Sequence, residues 1–199
     1  MSDGRQLWLL TGGDGAGKST FYRLRLAPLG LPFINADLIA RDLYPNAPEA
    51  RSYDAAWVAT ELRQRLLKEG RSFCFETVFS HPSKIDFIAQ AKTLGYQIVL
   101  VFIHLETAEL NQARVAQRIS EGGHSMPADK VLARIPRLLG HVKTALPLCD
   151  HVRLLDNSSA DDPFRQIAVI RAGRVEILTD GGALPDWADW LLEDRSTAL

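Results

Sequence analysis

Residues 12–20 read Gly12-Gly13-Asp14-Gly15-Ala16-Gly17-Lys18-Ser19-Thr20, which fits G-x-x-x-x-G-K-[ST], the phosphate-cradling P-loop. The residue types follow from the chemistry. Glycines let successive backbone N–H groups converge on phosphate oxygens with no Cβ in the way. Lys18 would reach the β- and γ-phosphates, and the Ser19 hydroxyl would bind Mg²⁺. A helix opening at about Gly17 would point its positive end at the anion. The flanks agree. Leu7 to Thr11 reads as a short buried strand, and Ser19 to Leu26 continues as a helix until Pro28. Strand, glycine loop and helix in that order are the context the motif requires.

Working outward, the 199 residues suffice for one domain with a substantial core. The hydrophobic fraction of 46% is that of an ordinary globular protein. A formal net charge of −1 supplies no global pull toward nucleic acid or an anionic membrane. Cys74 and Cys149 lie in apolar contexts without metal-ligand spacing, which suits buried free thiols in a reducing cytosol. The start of the chain lacks the form of a signal peptide, and no stretch approaches the ~20 apolar residues of a membrane span. The expected location is therefore cytoplasmic, with no membrane and no nucleic-acid partner.

Five apolar segments alternate with helical patterns: Leu7 to Thr11, Leu31 to Asn35, Ser72 to Thr77, Gln97 to Leu105 and His151 to Leu155. Nearly continuous apolar runs suit strands covered on both faces. In Glu49 to Glu69, residues Ala55, Val58, Ala59, Leu62 and Leu66 form an apolar stripe at helical spacing. Ser83 to Leu94 opens with Ser83 and Asp86 as a variant of the capping box. Thr107 to Glu121, capped by Thr107, and Pro127 to Leu146 complete the helices. The alternation predicts an α/β domain over 1–199 with a mainly parallel sheet. A lid would occupy about 107–146, and a small hairpin plus helix about 164–195. The hairpin turns at Ala172-Gly173, and the helix carries Trp187 and Trp190 for packing against the core.

In open α/β sheets, ligands sit beyond the carboxyl ends of the strands. Four polar groups stand there: Asp37, Glu76, Glu106 and the run Asp156-Asn157-Ser158. Asp37 reads equally well as a helix-cap or turn residue. Glu76 follows Phe73-Cys74-Phe75, so its carboxylate needs a partner. A magnesium-bound water or a substrate hydroxyl would serve. Glu106 is the weaker rival, since Thr107 beside it already begins a helix. Arg114 and Arg118 share a helix face, and Arg134 and Arg137 follow on the next helix. Gly122-Gly123-His124 joins the two, as a hinged basic lid would require. Arg137 also fits a merely solvated face.

The series GGDGAGKST, FINADLIA, FETVFS before HPSK, GYQIVLVFIHL, RVAQR, GGHSMP and DNS resembles the zeta-toxin family of P-loop kinases over most of the chain. That resemblance implies a nucleotide-kinase-like fold with a five-stranded core in the order 2-3-1-4-5. It implies ATP and Mg²⁺ as cofactors, and transfer to the amino-sugar 3′-hydroxyl of UDP-N-acetylglucosamine or a related sugar nucleotide. It makes Asp37 the catalytic base and places Lys18 and Ser19 on phosphate and magnesium. Glu76 and Thr77 would meet the acceptor, Arg118 and Arg134 would be lid arginines with Arg114 beside them, and Asn157 would lie at the adenine end. An antitoxin protein is the partner it suggests.

Two positions depart from the family pattern. Asp14 stands where many members carry Asn, Pro or Ser, although Asp also occurs there in thymidylate-kinase loops. Pro136 falls inside the second lid helix and should remove its hydrogen bond to Leu132. A nucleoside monophosphate or other metabolite kinase is the second enzymatic reading. A nucleotide-dependent switch is the alternative from another class. The sequence has no N-K-x-D guanine motif and no L-S-G-G-Q transporter signature.

Overall fold

The computed structural model describes residues 4–120 and 128–193; for residues 118–120, 128–130 and 182 only the backbone is described. Its centre is one seven-stranded sheet. The strands are β1 (Gln6–Gly12), β2 (Phe33–Ile34), β3 (Phe73–Thr77), β4 (Gln97–His104), β5 (His151–Asp156), β6 (Arg165–Arg171) and β7 (Arg174–Ile177). Their order is β2-β3-β1-β4-β5-β6-β7. The first five run parallel, in the order the family resemblance implies. The C-terminal hairpin is not a separate appendage: β6 joins β5 antiparallel and carries the same sheet outward. Ala172 and Gly173, both at positive φ, make its turn.

The side-chain alternation of each strand separates two cores. Leu7, Leu9, Phe73, Phe75, Leu100, Phe102 and Leu154 face one layer. Leu10, Cys74, Val101 and Ile103 face the other. Both faces are thus covered, which is why these segments read as continuous apolar runs. The helices are α1 (Lys18–Phe21), extended by a π-turn over Tyr22–Leu26, then α2 (Ala36–Leu43), α3 (Ser52–Lys68), α4 (Ser83–Thr93), α5 (Ala108–Ser120), α6 (Ala128–Ala145) and α7 (Asp186–Leu192). Pro136 sits within α6, which continues on both sides of it. No helix of the described residues is long and apolar enough to cross a membrane.

Four local expectations change. The second strand is only Phe33–Ile34, because Asn35 leaves it to cap α2, a helix absent from the sequence reading. The Asn35 Oδ1 accepts from the backbone of Asp37 at 2.8 Å and Leu38 at 3.1 Å. The buried stripe of α3 is rotated: Ala55, Ala59, Arg63, Leu66 and Leu67 face inward, while Leu62 is 36% exposed. The rotation lets Arg63 lie against the rings of Phe75 and Phe87. At α4, Pro82 is the cap residue and the Ser83 N–H donates to His81 Nδ1 at 3.2 Å, so the Ser83–Asp86 box does not form. Of the two tryptophans, Trp187 packs on Phe102 and His104, whereas Trp190 is half-exposed with Lys143 Nζ 4.5 Å from its ring centre. Thr107 does receive the Leu110 N–H, at 3.3 Å. Both cysteines are buried and neither is in a disulfide.

Candidate active site

The P-loop leaves the centre of the sheet between β1 and α1. Gly17 caps α1 at φ 93°, a left-handed conformation that glycine adopts without strain. At Gly12 the limit is space, since a Cβ there would stand 2.3 Å from the Ile103 carbonyl oxygen. Three outside side chains hold the loop in shape. Asn111 of α5 donates to the Asp14 carbonyl at 2.7 Å. Asn157, just past β5, donates to the Ala16 carbonyl at 2.9 Å and accepts from the Phe164 N–H at 3.2 Å. Arg134 of α6 pairs with the Asp14 carboxylate at 3.0 Å.

These contacts revise the individual expectations. Asn157 is buried behind the loop with both ends of its amide bonded to protein, so it is a brace, and no direct nucleotide contact is proposed for it. Asp14 and Arg134, read separately as an oddity and a lid cation, are partners. Arg114 lines a cavity of about 160 Å³ together with Gly15, Gly17, Lys18, Ser19, Thr20 and Glu76. Arg137 is exposed and donates to the Ala133 carbonyl within its own helix. The Arg118 side chain, Gly122, Gly123 and His124 lie outside the described residues.

Lys18 is buried; its ammonium donates to the Gly12 and Gly13 carbonyls at 3.1 and 2.9 Å and stands 3.9 Å from Glu76 Oε1. The other Glu76 oxygen accepts from Asn35 Nδ2 at 2.8 Å and from the Ser19 hydroxyl at 3.4 Å. Burial pushes the Glu76 carboxyl above its ordinary range, Lys18 draws it back, and Asp37 pushes it up again. Thr77 accepts the Phe79 N–H at 3.0 Å and so fixes the turn after β3. Glu106 is exposed, its N–H bonded to the Ser158 hydroxyl, away from this cluster.

A second cavity, of about 310 Å³, is lined by Asp14, Lys18, Ser19, Asp37, Glu76 and Thr77 among others. It shares Lys18, Ser19 and Glu76 with the smaller one. Two compartments therefore meet at one ammonium, one hydroxyl and one carboxylate. The first is floored by the P-loop, and the second carries Asp37 at the first turn of α2. Arg63 and Lys84 also line the second compartment. Neither they nor Asn35 and Asn111 were singled out from the sequence. Asn35 had a signal, a capping residue before an acidic first turn. Asn111 had none, because the loop carbonyl it holds is 97 residues away, and nothing local marked Arg63 or Lys84.

Residues 7–139 match the model of the AAA domain family. A dephospho-CoA kinase of Pasteurella multocida is 37% identical over 73 residues, which is 37% of this chain and 35% of that protein. Among solved structures, the AvrRxo1-ORF1:-ORF2 complex superposes with a TM-score of 0.68 at 18% identity, covering 94% of this chain and 66% of that one. The same complex has been solved with ATP. A structure from the PezAT chromosomal toxin–antitoxin system of Streptococcus pneumoniae superposes with a TM-score of 0.63 at 18% identity, covering 96% of this chain and 79% of that one. At these identities the structural likeness concerns the fold, and it agrees with the zeta-toxin-like P-loop kinase architecture read from the motifs.

Proposed function

We propose, for a chain that belongs to the AAA domain family, ATP-dependent transfer of a phosphoryl group to a hydroxyl of a small molecule. The observation that carries this is the junction of the two cavities at Lys18, Ser19 and Glu76. A nucleotide seated on the P-loop would present its terminal phosphate there, and an acceptor beside Asp37 would approach it. Asp37 would accept the hydroxyl proton, the role a positioned carboxylate takes in such transfers. A hydrolase or switch has no need of a second compartment carrying its own carboxylate. The Ser19 hydroxyl and the Glu76 carboxylate, 3.4 Å apart, are hard oxygen donors that suit Mg²⁺, Glu76 acting through water. Held there, Mg²⁺ would supply charge neutralisation to the phosphate groups. Lys18 would exchange its two loop carbonyls for phosphate oxygens, and Arg114 lines the phosphate side. UDP-N-acetylglucosamine or a related sugar nucleotide is the acceptor the motif resemblance favours. An antitoxin-like protein partner belongs to the same reading.

Incubating the protein with γ-labelled ATP, Mg²⁺ and a fractionated metabolite pool tests it. The expected outcome is a labelled small molecule and nucleotide turnover that depends on one fraction. Acceptor-independent hydrolysis with no labelled product would assign a switch or ATPase instead.

Arg134 would leave Asp14 for the transferring phosphate when the lid closes. Arg134→Ala should then lower kcat by about 10- to 100-fold, since Arg114 retains part of the charge stabilisation. Affinity for a non-hydrolysable ATP analogue should change little, because the bond to Asp14 is lost along with the bond to phosphate. Unchanged single-turnover transfer would leave Arg134 as a structural partner of Asp14 only.

A further inference from the structure

The acceptor cavity has a wall it does not share with the phosphate compartment, and that wall is cationic. Arg63 of α3 is buried, 6% exposed, and Lys84 at the start of α4 is half-buried. Both line the cavity. Neither has a carboxylate within 4.0 Å among the described residues. The Arg63 guanidinium carbon lies over two rings, 5.3 Å from the Phe75 ring centre and 5.9 Å from that of Phe87. Its Nη2 donates to the Thr60 hydroxyl at 2.7 Å, and that hydroxyl is itself bonded to the Ala56 carbonyl at 2.9 Å. Thr60 therefore anchors the guanidinium without neutralising it.

We propose that Arg63 and Lys84 form a subsite for an oxyanion, phosphate or carboxylate, carried by the acceptor itself. This rests on the kinase reading only for calling the ligand an acceptor. Two like charges sharing one half-dry wall are costly unless an anion joins them. Burial brings the Arg63 guanidinium down to about 10, and burial together with Arg63 pushes the Lys84 ammonium down as well. A buried guanidinium held by the Thr60 hydroxyl and the two rings presents its remaining N–H groups as a planar fork, the geometry that suits carboxylate and phosphate. Ring contact alone would explain a lone arginine. It does not explain the unpaired lysine beside it. The chemistry also divides the cavity sensibly. The carboxylates Asp37 and Glu76 stand where a hydroxyl reacts, and the cations stand where an anion would be held more strongly than a neutral hydroxyl.

The test needs no catalysis. With the P-loop saturated by a non-hydrolysable ATP analogue and Mg²⁺, calorimetry measures binding of glucose 6-phosphate against glucose, and of glycerate against glycerol. The charged member of at least one pair should bind about tenfold tighter or better, the scale of one charge-assisted contact. Whichever pair shows the larger gap identifies the anion. Lys84→Gln and Arg63→Gln should each close most of that gap, and Lys84→Arg should keep it. ATP-analogue affinity in each variant reports that the fold is intact. Lys84, being half-buried and outside the ring contacts, remains informative if Arg63→Gln misfolds. Equal binding of charged and neutral members, or a gap that survives in both glutamine variants, overturns the subsite. A labelled product from the metabolite screen that carries no anion before phosphorylation also overturns it, while leaving the kinase reading intact.

Discussion

Asp37→Asn is expected to lower phosphoryl transfer by about 10³-fold, within the range removed with a general base, while binding of a non-hydrolysable ATP analogue stays unchanged. The substitution is nearly isosteric. It keeps the first turn of α2, whose cap depends on the Asn35 side chain and the Asp37 backbone N–H, not on the Asp37 carboxylate. It removes only the carboxylate proposed to take the acceptor proton. It also removes one of the charges that raise the Glu76 carboxyl, so Glu76 should ionise more readily in the variant. That second effect favours metal binding and cannot account for lost turnover. Single-turnover kinetics on the identified acceptor decide the outcome. Transfer at the wild-type rate would reduce Asp37 to a first-turn acid that favours the helix dipole.

Lys18→Ala should be the most damaging change to nucleotide binding. The lost charge-assisted contacts to phosphate are worth about 1.5–3 kcal/mol in the ground state. Transfer should fall by a further 10²- to 10³-fold or so, because the same ammonium meets charge that develops in the transition state. The resting structure adds a reason. Lys18 is the cation standing against the buried Glu76, and without it the Glu76 carboxyl loses the positive charge that draws it down. The variant should thus bind Mg²⁺·nucleotide worse through both residues. Calorimetry with the ATP analogue, with and without Mg²⁺, separates the two contributions. Equal affinity in wild type and variant would remove the P-loop from the mechanism.

Much of this was legible in the sequence because it is periodic or local. The P-loop announces its own strand and helix, and the buried parallel strands announce themselves as unbroken apolar runs. The placement of Glu76 follows from its position at the carboxyl end of β3, and that of Asp37 from its position just beyond β2. What the sequence concealed depends on side chains that meet across long stretches of chain. Asp14 and Arg134 are 120 residues apart, and Asn111 reaches the loop across 97. No periodicity encodes such meetings. Arg63 was concealed for another reason. It occupies an inward position of an amphipathic helix, where an apolar side chain is the ordinary expectation, and the rings of Phe75 and Phe87 together with the Thr60 hydroxyl make it tolerable there. Asn35 could have been found from its capping chemistry, and with it the start of α2.

The position of β1 has a consequence for how the protein comes into being. β1 leaves the ribosome well before its neighbours in the sheet: it lies between β3 and β4, and Gln6 bonds Ser72 and Gln97, 66 and 91 residues downstream. The brace on Ala16 comes from 141 residues further on. Loop-closure entropy has to be met before any of these contacts forms. The nascent chain therefore carries a complete nucleotide-binding motif long before it carries a nucleotide-binding site, and ATP in the cell cannot template the early stages of its folding. A chain ending at residue 150 should accordingly fail to bind an ATP analogue at concentrations that saturate residues 1–199, and saturable binding by the shorter chain would show that the cradle is self-sufficient. The cradle is thus completed only once Asn157 has been made and β5 has docked.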